Sequence, residues 1–348
     1  MVGLRADTLI MKRFNNLFEK IVTFKNLNEA SKKAFMGNKK YTVSGQSFYF
    51  NLEKELISLE KELSSEEYQP GPYYHFSIYD PKYRDICAAS FRDRVVHHAI
   101  CNIIEPLFNQ TLIYDTYACI KGKGSHAAVK RAQTFSKKFN FVLKCDINSY
   151  FETVDHEVLL TILSRKIKDK RLMRLLKTII KQPFPKGSPG KGLPIGNLTS
   201  QIFANIYLGQ LDHLVKDQLA VKGYLRYMDD FLVFEQDKSC LIGWLYEIDN
   251  YVTNKLLIEL KENVLKLMPV SQGVPFLGFR IFPGIIRLQR KNVVRFRRKM
   301  RKREHQFLSG EIDEKNFIDS VTSILAHISH ADTYKMRQSF IKSLSYSG

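Results

Sequence analysis

The chain has 348 residues and a formal net charge of +19, from 54 Lys and Arg against 35 Asp and Glu. A 44% hydrophobic fraction with 12% aromatics excludes a disordered chain, and the length gives room for one large core or two to three smaller ones. No apolar run approaches the roughly 18 residues of a membrane span. The N-terminus lacks the pattern of a signal peptide. Five scattered cysteines without a CxxC pair argue against a disulfide framework or a zinc module, and for a reducing, cytoplasmic setting. Such an excess of base points to a polyanion partner, and nucleic acid fits it better than an acidic membrane.

In chain order, residues 12–63 have helical spacing and break at Tyr68-Gln69-Pro70-Gly71-Pro72. A strand-like stretch at 75–79, a turn at Asp80-Pro81-Lys82-Tyr83-Arg84 and a second short run at 86–89 follow. Residues 91–105 predict a helix, with Val95, Val96, Ala99, Ile100, Ile103 and Ile104 on one stripe, and Pro106 is expected to end it. Residues 141–145 read as a buried strand running into Asp146. Helices are expected at 157–167, 172–181 and 198–219, with a loop rich in breakers at 183–192. Two β-prone runs, 224–227 and 231–235, flank Met228-Asp229-Asp230 and predict a hairpin. A helix at 241–256 and strands at 264–267 and 276–281 complete the middle. The hairpin implies an antiparallel sheet, so the expected class is α+β.

Ten of the seventeen residues 287–303 are basic and none is acidic. A charge run is often just a solvated helix face. Here Val293, Val294, Phe296 and Met300 interleave with the bases, which gives a helix one packed side and one side suited to a phosphate backbone. The last 60 residues read as a helical module, with Phe317, Val321, Ile324, Leu325 and Ile328 at helical spacing.

Adjacent carboxylates in a hairpin turn repel, and a divalent cation removes that cost. Asp146 alone could equally be a turn or N-cap aspartate. Taken with Asp229 and Asp230, it completes the oxygen-rich set that two Mg²⁺ ions use, with Mn²⁺ as a substitute. Such a pair of ions activates a hydroxyl and stabilises a leaving oxygen on phosphorus. On a basic chain, the implied reaction is phosphoryl transfer on nucleic acid.

Four segments then carry a resemblance. FVLKCDINSYF (141–151), GLPIGNLTSQ (192–201), RYMDDFLVF (226–234) and FLGF (276–279) resemble, in order, the palm motifs of reverse transcriptases, and residues 91–128 are similar to the fingers motifs of bacterial members. The resemblance implies a right-hand polymerase: N-terminal extension and fingers over 1–140, palm over 141–285 with part of the fingers interleaved at about 156–197, and a small helical basic thumb over 286–348. It implies an RNA-directed DNA polymerase. The metals fall to Asp146, Asp229, Asp230 and the Ile147 carbonyl, and nucleotide binding to Lys82, Arg84, Tyr150, Ile195 and Gly196. Tyr150 matches the steric gate against ribose, and Lys82 and Arg84 match the triphosphate clamp, with Arg92 and Arg94 flanking it. Template–primer contacts fall to Ser200, Gln201, Phe276, Leu277 and Gly278, and thumb contacts to Arg295, Arg298 and Arg301.

Within the family, GLPIGNLTSQ most resembles the enzymes of diversity-generating retroelements. Group II intron proteins more often carry Gln in place of Ile195 and Pro in place of Gln201. The 70 residues after Gly278 are expected to hold neither maturase and endonuclease parts nor an RNase H domain. The resemblance further implies a template RNA, a primer or cDNA, dNTPs, a small basic accessory variability-determinant protein, and the cytoplasm of a bacterial or phage-infected cell. It also implies errors concentrated at template adenines, and, separately, Ile195 in place of a polar residue at the incoming nucleotide implies lower fidelity in general. Lys261 is the nearest match to the family's lysine after the hairpin, at a different spacing. The alternatives are an intron-like or defence-associated reverse transcriptase, a template-independent polymerase, or a non-catalytic basic RNA-binding protein.

Overall fold

A computed structural model describes residues 13–79, 83–184 and 188–342. The N-terminal stretch forms α1 (Phe18–Val22), α2 (Phe24–Ala34), α3 (Val43–Phe50) and α4 (Leu52–Ser64). Thr23 and Thr42 start α2 and α3 by accepting the Asn26 and Gly45 N–H groups, which satisfies donors a helix leaves open at its first turn. The strands β1 (Tyr74–Ile78) and β2 (Arg84–Ala88) pair antiparallel, so Arg84 opens a strand rather than closing a turn. Lys82 lies outside the described residues.

The next helix, α5 (Phe91–Asn109), runs through Pro106 instead of stopping there. Proline forfeits one backbone bond, but α5 is buried along Val95, Val96, Ala99, Ile100 and Ile104, and that packing outweighs the loss. Then come α6 (Ser125–Ser136), β3 (Phe141–Cys145), α7 (Tyr150–Thr153), α8 (His156–Lys166), α9 (Lys170–Ile180) and α10 (Leu198–His213). Asp155 and Asp169 cap α8 and α9. Asp169 also accepts the Leu17 and Phe18 N–H groups at 2.9 and 2.8 Å, tying the start of α1 to α9. The single helix expected at 198–219 ends at His213 and continues as one π-turn, Leu214–Gln218.

The chain continues through β4 (Gly223–Tyr227), β5 (Asp230–Glu235), α11 (Lys238–Asn254), β6 (Lys266–Pro269), β7 (Val274–Phe276), β8 (Phe279–Ile281) and β9 (Ile286–Leu288). It closes with α12 (Arg290–Leu308), α13 (Glu314–Ile328) and α14 (Tyr334–Lys342). The strand expected over 276–281 is instead two strands of a hairpin. Leu277 and Gly278 both take positive φ, 45° and 87°, as a tight two-residue turn between twisted strands demands. Leu-Gly lacks the usual Asn or Asp signal, so the apolar run conceals the turn.

The chain divides into two compact units. One holds the described residues up to Tyr114, with Ile147–Leu214 and Glu247–Lys261; α5 packs there on α2 and α10. The other holds Asp115–Asp146, Val215–Tyr246 and the described residues from Glu262 on. In it a four-stranded sheet of order β4-β5-β3-β6, antiparallel throughout, lies beside a three-stranded sheet β7-β8-β9. Val142, Leu232, Phe234, Phe276 and Phe279 form one core with Phe296 and Met300 of α12 and Ile324 and Ile328 of α13. The class is α+β, as the hairpin implied. Among the described residues no helix is long and apolar enough to cross a membrane.

Candidate active site

Strand β3 is paired on both sides, and its register with β5 matches Cys145 to Phe231. One further step of that register sets Asp146 opposite Asp230. Across the β4–β5 hairpin Tyr227 pairs with Asp230, so the turn is Met228-Asp229 and Asp230 is the first residue of β5 rather than a turn residue. Met228 sits at φ 58°. A side chain held in the left-handed region is strained, and such strain persists only where surrounding contacts impose it. Arg226 imposes it: wholly buried, it donates from Nη1 to the Met228 carbonyl at 2.9 Å. Its own backbone N–H donates to the Asp115 carbonyl at 2.9 Å, and Arg131 grips the Asp115 carboxylate at 2.8 and 2.9 Å.

All three acids belong to one unit, and all are half-buried. Burial pushes Asp230 up to about 6; Asp146 and Asp229 push the same way, and Lys144 opposes them through an ion pair with its carboxylate. Among the described residues no three such side chains form a ready-made metal cage. Mg²⁺ does not need one, because it keeps several waters and takes one or two carboxylates together with substrate phosphates. Asp146 and Asp229 offer such hard oxygen donors, so the donor set fits a divalent cation.

The other unit gathers the residues assigned to the nucleotide. Cys87 of β2 donates its N–H to the Ile195 carbonyl at 2.8 Å, and Leu193 donates to Phe151 of α7 at 2.6 Å, so the 192–197 loop lies between β2 and α7. Gly196, at φ 121°, has no room for a Cβ, which would fall 2.8 Å from Ile86 Cγ2. Its smallness thus serves packing on the strand. The Tyr150 ring is buried, with its hydroxyl donating to the Ala204 carbonyl at 2.6 Å. Ile147 bridges Leu260. Arg84 is exposed and Ile195 half-buried, whereas Ser200 is buried within α10 and Gln201 beside it is half-buried. Arg92 pairs with Glu62 and Glu55, and Arg94 donates to the Ala89 carbonyl at 3.0 Å, so both serve the helix.

The Leu277-Gly278 turn is tethered to the basic helix: Asn292 of α12 donates to the Gly278 carbonyl at 2.8 Å, and the Gln289 N–H donates to it at 3.1 Å. Arg298 and Arg301 are exposed on α12, Arg295 lies over the Phe296 ring, and among the described residues none of the three is in an ion pair.

A model of the reverse transcriptase (RNA-dependent DNA polymerase) family matches residues 79–281, a span that holds all three acids and the nucleotide loop. The chain belongs to the reverse transcriptase family. It is similar to Protein YkfC of Escherichia coli, 26% identical over 78% of this chain and 79% of YkfC. It is also similar to the group II intron-encoded protein LtrA of Lactococcus lactis, 21% identical over 75% of this chain and 54% of LtrA. The putative COX1/OXI3 intron 2 protein of Saccharomyces cerevisiae is 21% identical over 61% of this chain, and the chain spans 25% of it. Solved structures similar to it include telomerase of Candida albicans with a TWJ fragment of telomeric RNA, at a TM-score of 0.46 and 13% identity over 79% of this chain and 55% of that one.

As a reverse transcriptase the chain is an RNA-directed DNA polymerase, and two residues of its acid cluster escape a reading of sequence. Lys144 looks like an interruption of an apolar strand, and Arg226 looks like flanking charge. The partnership of Lys144 is not local in sequence, since it reaches Asp230 across the sheet. For Arg226 the one available signal is a charged residue at a strand position whose neighbours Leu225 and Tyr224 are core.

Proposed function

We propose that this reverse transcriptase copies a template RNA into cDNA with Asp146 and Asp229 as the principal metal ligands. The observation that carries the reading is the register that brings Asp146 opposite Asp230, next to the turn that holds Asp229. Two divalent ions held by these acids and the Ile147 carbonyl would supply activation of the primer 3′-OH and stabilisation of the leaving oxygen. The chain's own residues do the rest. Arg226 fixes the turn that bears Asp229, Arg84 and Lys82 meet the triphosphate, Tyr150 excludes a ribose 2′-OH, and Ile195 and Gly196 face the nucleotide. Gln201, the 276–278 turn and α12 follow the template–primer, the last through phosphate contacts alone.

Two finer readings compete. Ile195 within GLPIGNLTSQ supports a diversity-generating enzyme that errs at template adenines and works with a small basic accessory protein in a bacterial or phage-infected cell. The similarity to intron-encoded proteins supports an intron-type enzyme. An isoleucine offers the nascent pair only dispersion, and the loss of one hydrogen bond is worth roughly 0.5–1.5 kcal/mol, or about a 2- to 13-fold loss of discrimination. Extension on a heteropolymeric RNA with dNTPs or NTPs, followed by cDNA sequencing, tests both levels. Wild type should extend with dNTPs in Mg²⁺ and Asp229→Asn should lose at least about 100-fold; extension by the variant near the wild-type rate refutes the metal assignment. Errors concentrated at adenines and reduced in Ile195→Gln support the diversity-generating reading, and adenines copied as accurately as the other bases refute it.

A further inference from the structure

Lys144 is the anomaly of the central strand. It is 8% exposed, within a run where Val142, Leu143 and Cys145 are completely buried. Burying an ammonium is costly unless its charge is matched. The match is close by: the ammonium bonds the Asp230 carboxylate and stands 5.6 Å from the centre of the Phe276 ring. Asp146 follows the end of β3 two residues after Lys144, and the strand's alternation carried one residue further sets both side chains on the same face. The lysine therefore pairs with one acid of the cluster and lies beside Phe276, the last residue of the strand that leads into the Leu277-Gly278 turn.

That placement divides the acids. Asp230 is engaged by Lys144 in an ion pair, and among the described residues no three acids, histidines or cysteines form a ready metal cage. We propose that Lys144 is a positioning residue that binds Asp230 as a neutral pair, leaving the metal ions to Asp146 and Asp229 and holding the acid cluster together when no ion is bound. The proposal rests on the reading of Asp146 and Asp229 as metal ligands. Its consequence has an unusual sign. Removal of the lysine frees a third carboxylate, so the ion-free protein loses stability while a divalent cation binds more tightly. Loss of a merely structural lysine would lower stability and leave cation binding unchanged or weaker.

The test is Mn²⁺ binding by the full chain without substrate, followed by electron paramagnetic resonance, together with Tm in chelator. Lys144→Met should bind Mn²⁺ about 5-fold more tightly than wild type and melt lower in chelator, while Lys144→Arg should bind within about twofold of wild type. Unchanged or weaker binding by Lys144→Met overturns the proposal. The double variant Lys144→Met with Asp230→Asn removes both charges together, which spares the fold an unmatched buried ion. It should bind Mn²⁺ within about twofold of wild type; a loss of tenfold or more would make Asp230 a ligand and overturn the proposal even if the single variant does not fold. Asp146→Asn and Asp229→Asn separate the two readings. If neither weakens Mn²⁺ binding, the metal assignment itself fails and takes the proposal with it. If both weaken it and Lys144→Met does not tighten it, the proposal fails alone.

Discussion

Replacing His97 by Leu should stabilise the protein, and by more in acid than at neutral pH. His97 lies within α5 at 1% exposure, and among the described residues neither ring nitrogen has a hydrogen-bond partner. Burial pushes it down to about 4, with Asp93 pulling up and His98 and Arg94 pushing further down. An unfolded histidine titrates near 6.5. Its folded value is thus the lower one: the unfolded chain binds the extra proton first, and stability falls as pH drops from about 6.5 towards 4. At pH 5 the two values correspond to about 2 kcal/mol of lost stability relative to pH 7.5. The imidazole N–H left without an acceptor costs about 1–3 kcal/mol more at any pH, and a leucine of similar bulk removes both penalties. His97→Leu should therefore gain about 1 kcal/mol at pH 7.5 and about 3 kcal/mol at pH 5. Urea unfolding of both proteins at the two pH values, followed by circular dichroism, measures this. If the variant loses as much stability in acid as wild type does, the pH dependence does not come from His97 and the argument fails.

Three other outcomes can be checked on the same footing. Arg226→Met removes the charged donor to the Met228 carbonyl, worth about 1.5–3 kcal/mol, and a loosened turn should cut kcat about 10- to 100-fold with KM for dNTP little changed; a normal kcat at a lowered Tm would reduce Arg226 to a fold residue. Tyr150→Val should raise the ratio of NTP to dNTP kcat/KM by at least about tenfold, and an unchanged ratio would deny Tyr150 the role of gate. Reversing Arg295, Arg298 and Arg301 to Glu should weaken template–primer binding alike for unrelated sequences and flatten the salt dependence by roughly one unit per lost phosphate contact; an unaltered slope assigns α12 to another partner.

The parts of this molecule that sequence makes legible are those with local periodicity. Residues 141–145 are an apolar run broken only by Lys144 and followed by an acid, and β3 has those bounds. The Asp pair between two β-prone runs is a hairpin for the same reason. Legibility ends where long-range packing overrides a local rule, as at Pro106, or where a turn is built from residues that do not advertise one, as at Leu277-Gly278. At Gly196 the positive φ and the closeness of Ile86 each favour glycine, and neither is visible in the sequence. Lys144 and Arg226 carry partnerships set by register and burial, and no spacing rule reports those.

The tether from Asn292 to the Gly278 carbonyl bears on how this protein could be recombined with its relatives. Residue 286 looks like a seam, because basic helical sequence follows it. Yet β9 begins there as the outer strand on β8, and Gln289 and Asn292 both close on the hairpin turn. A chimera joined at 286 would set a foreign helix against a turn whose Gly278 leaves Asn292 no spare room, since a Cβ there would lie 2.4 Å from its Nδ2. A graft that takes β7, β8, β9 and α12 together keeps both halves of that fit. Hairpin and helix are therefore inherited as one part.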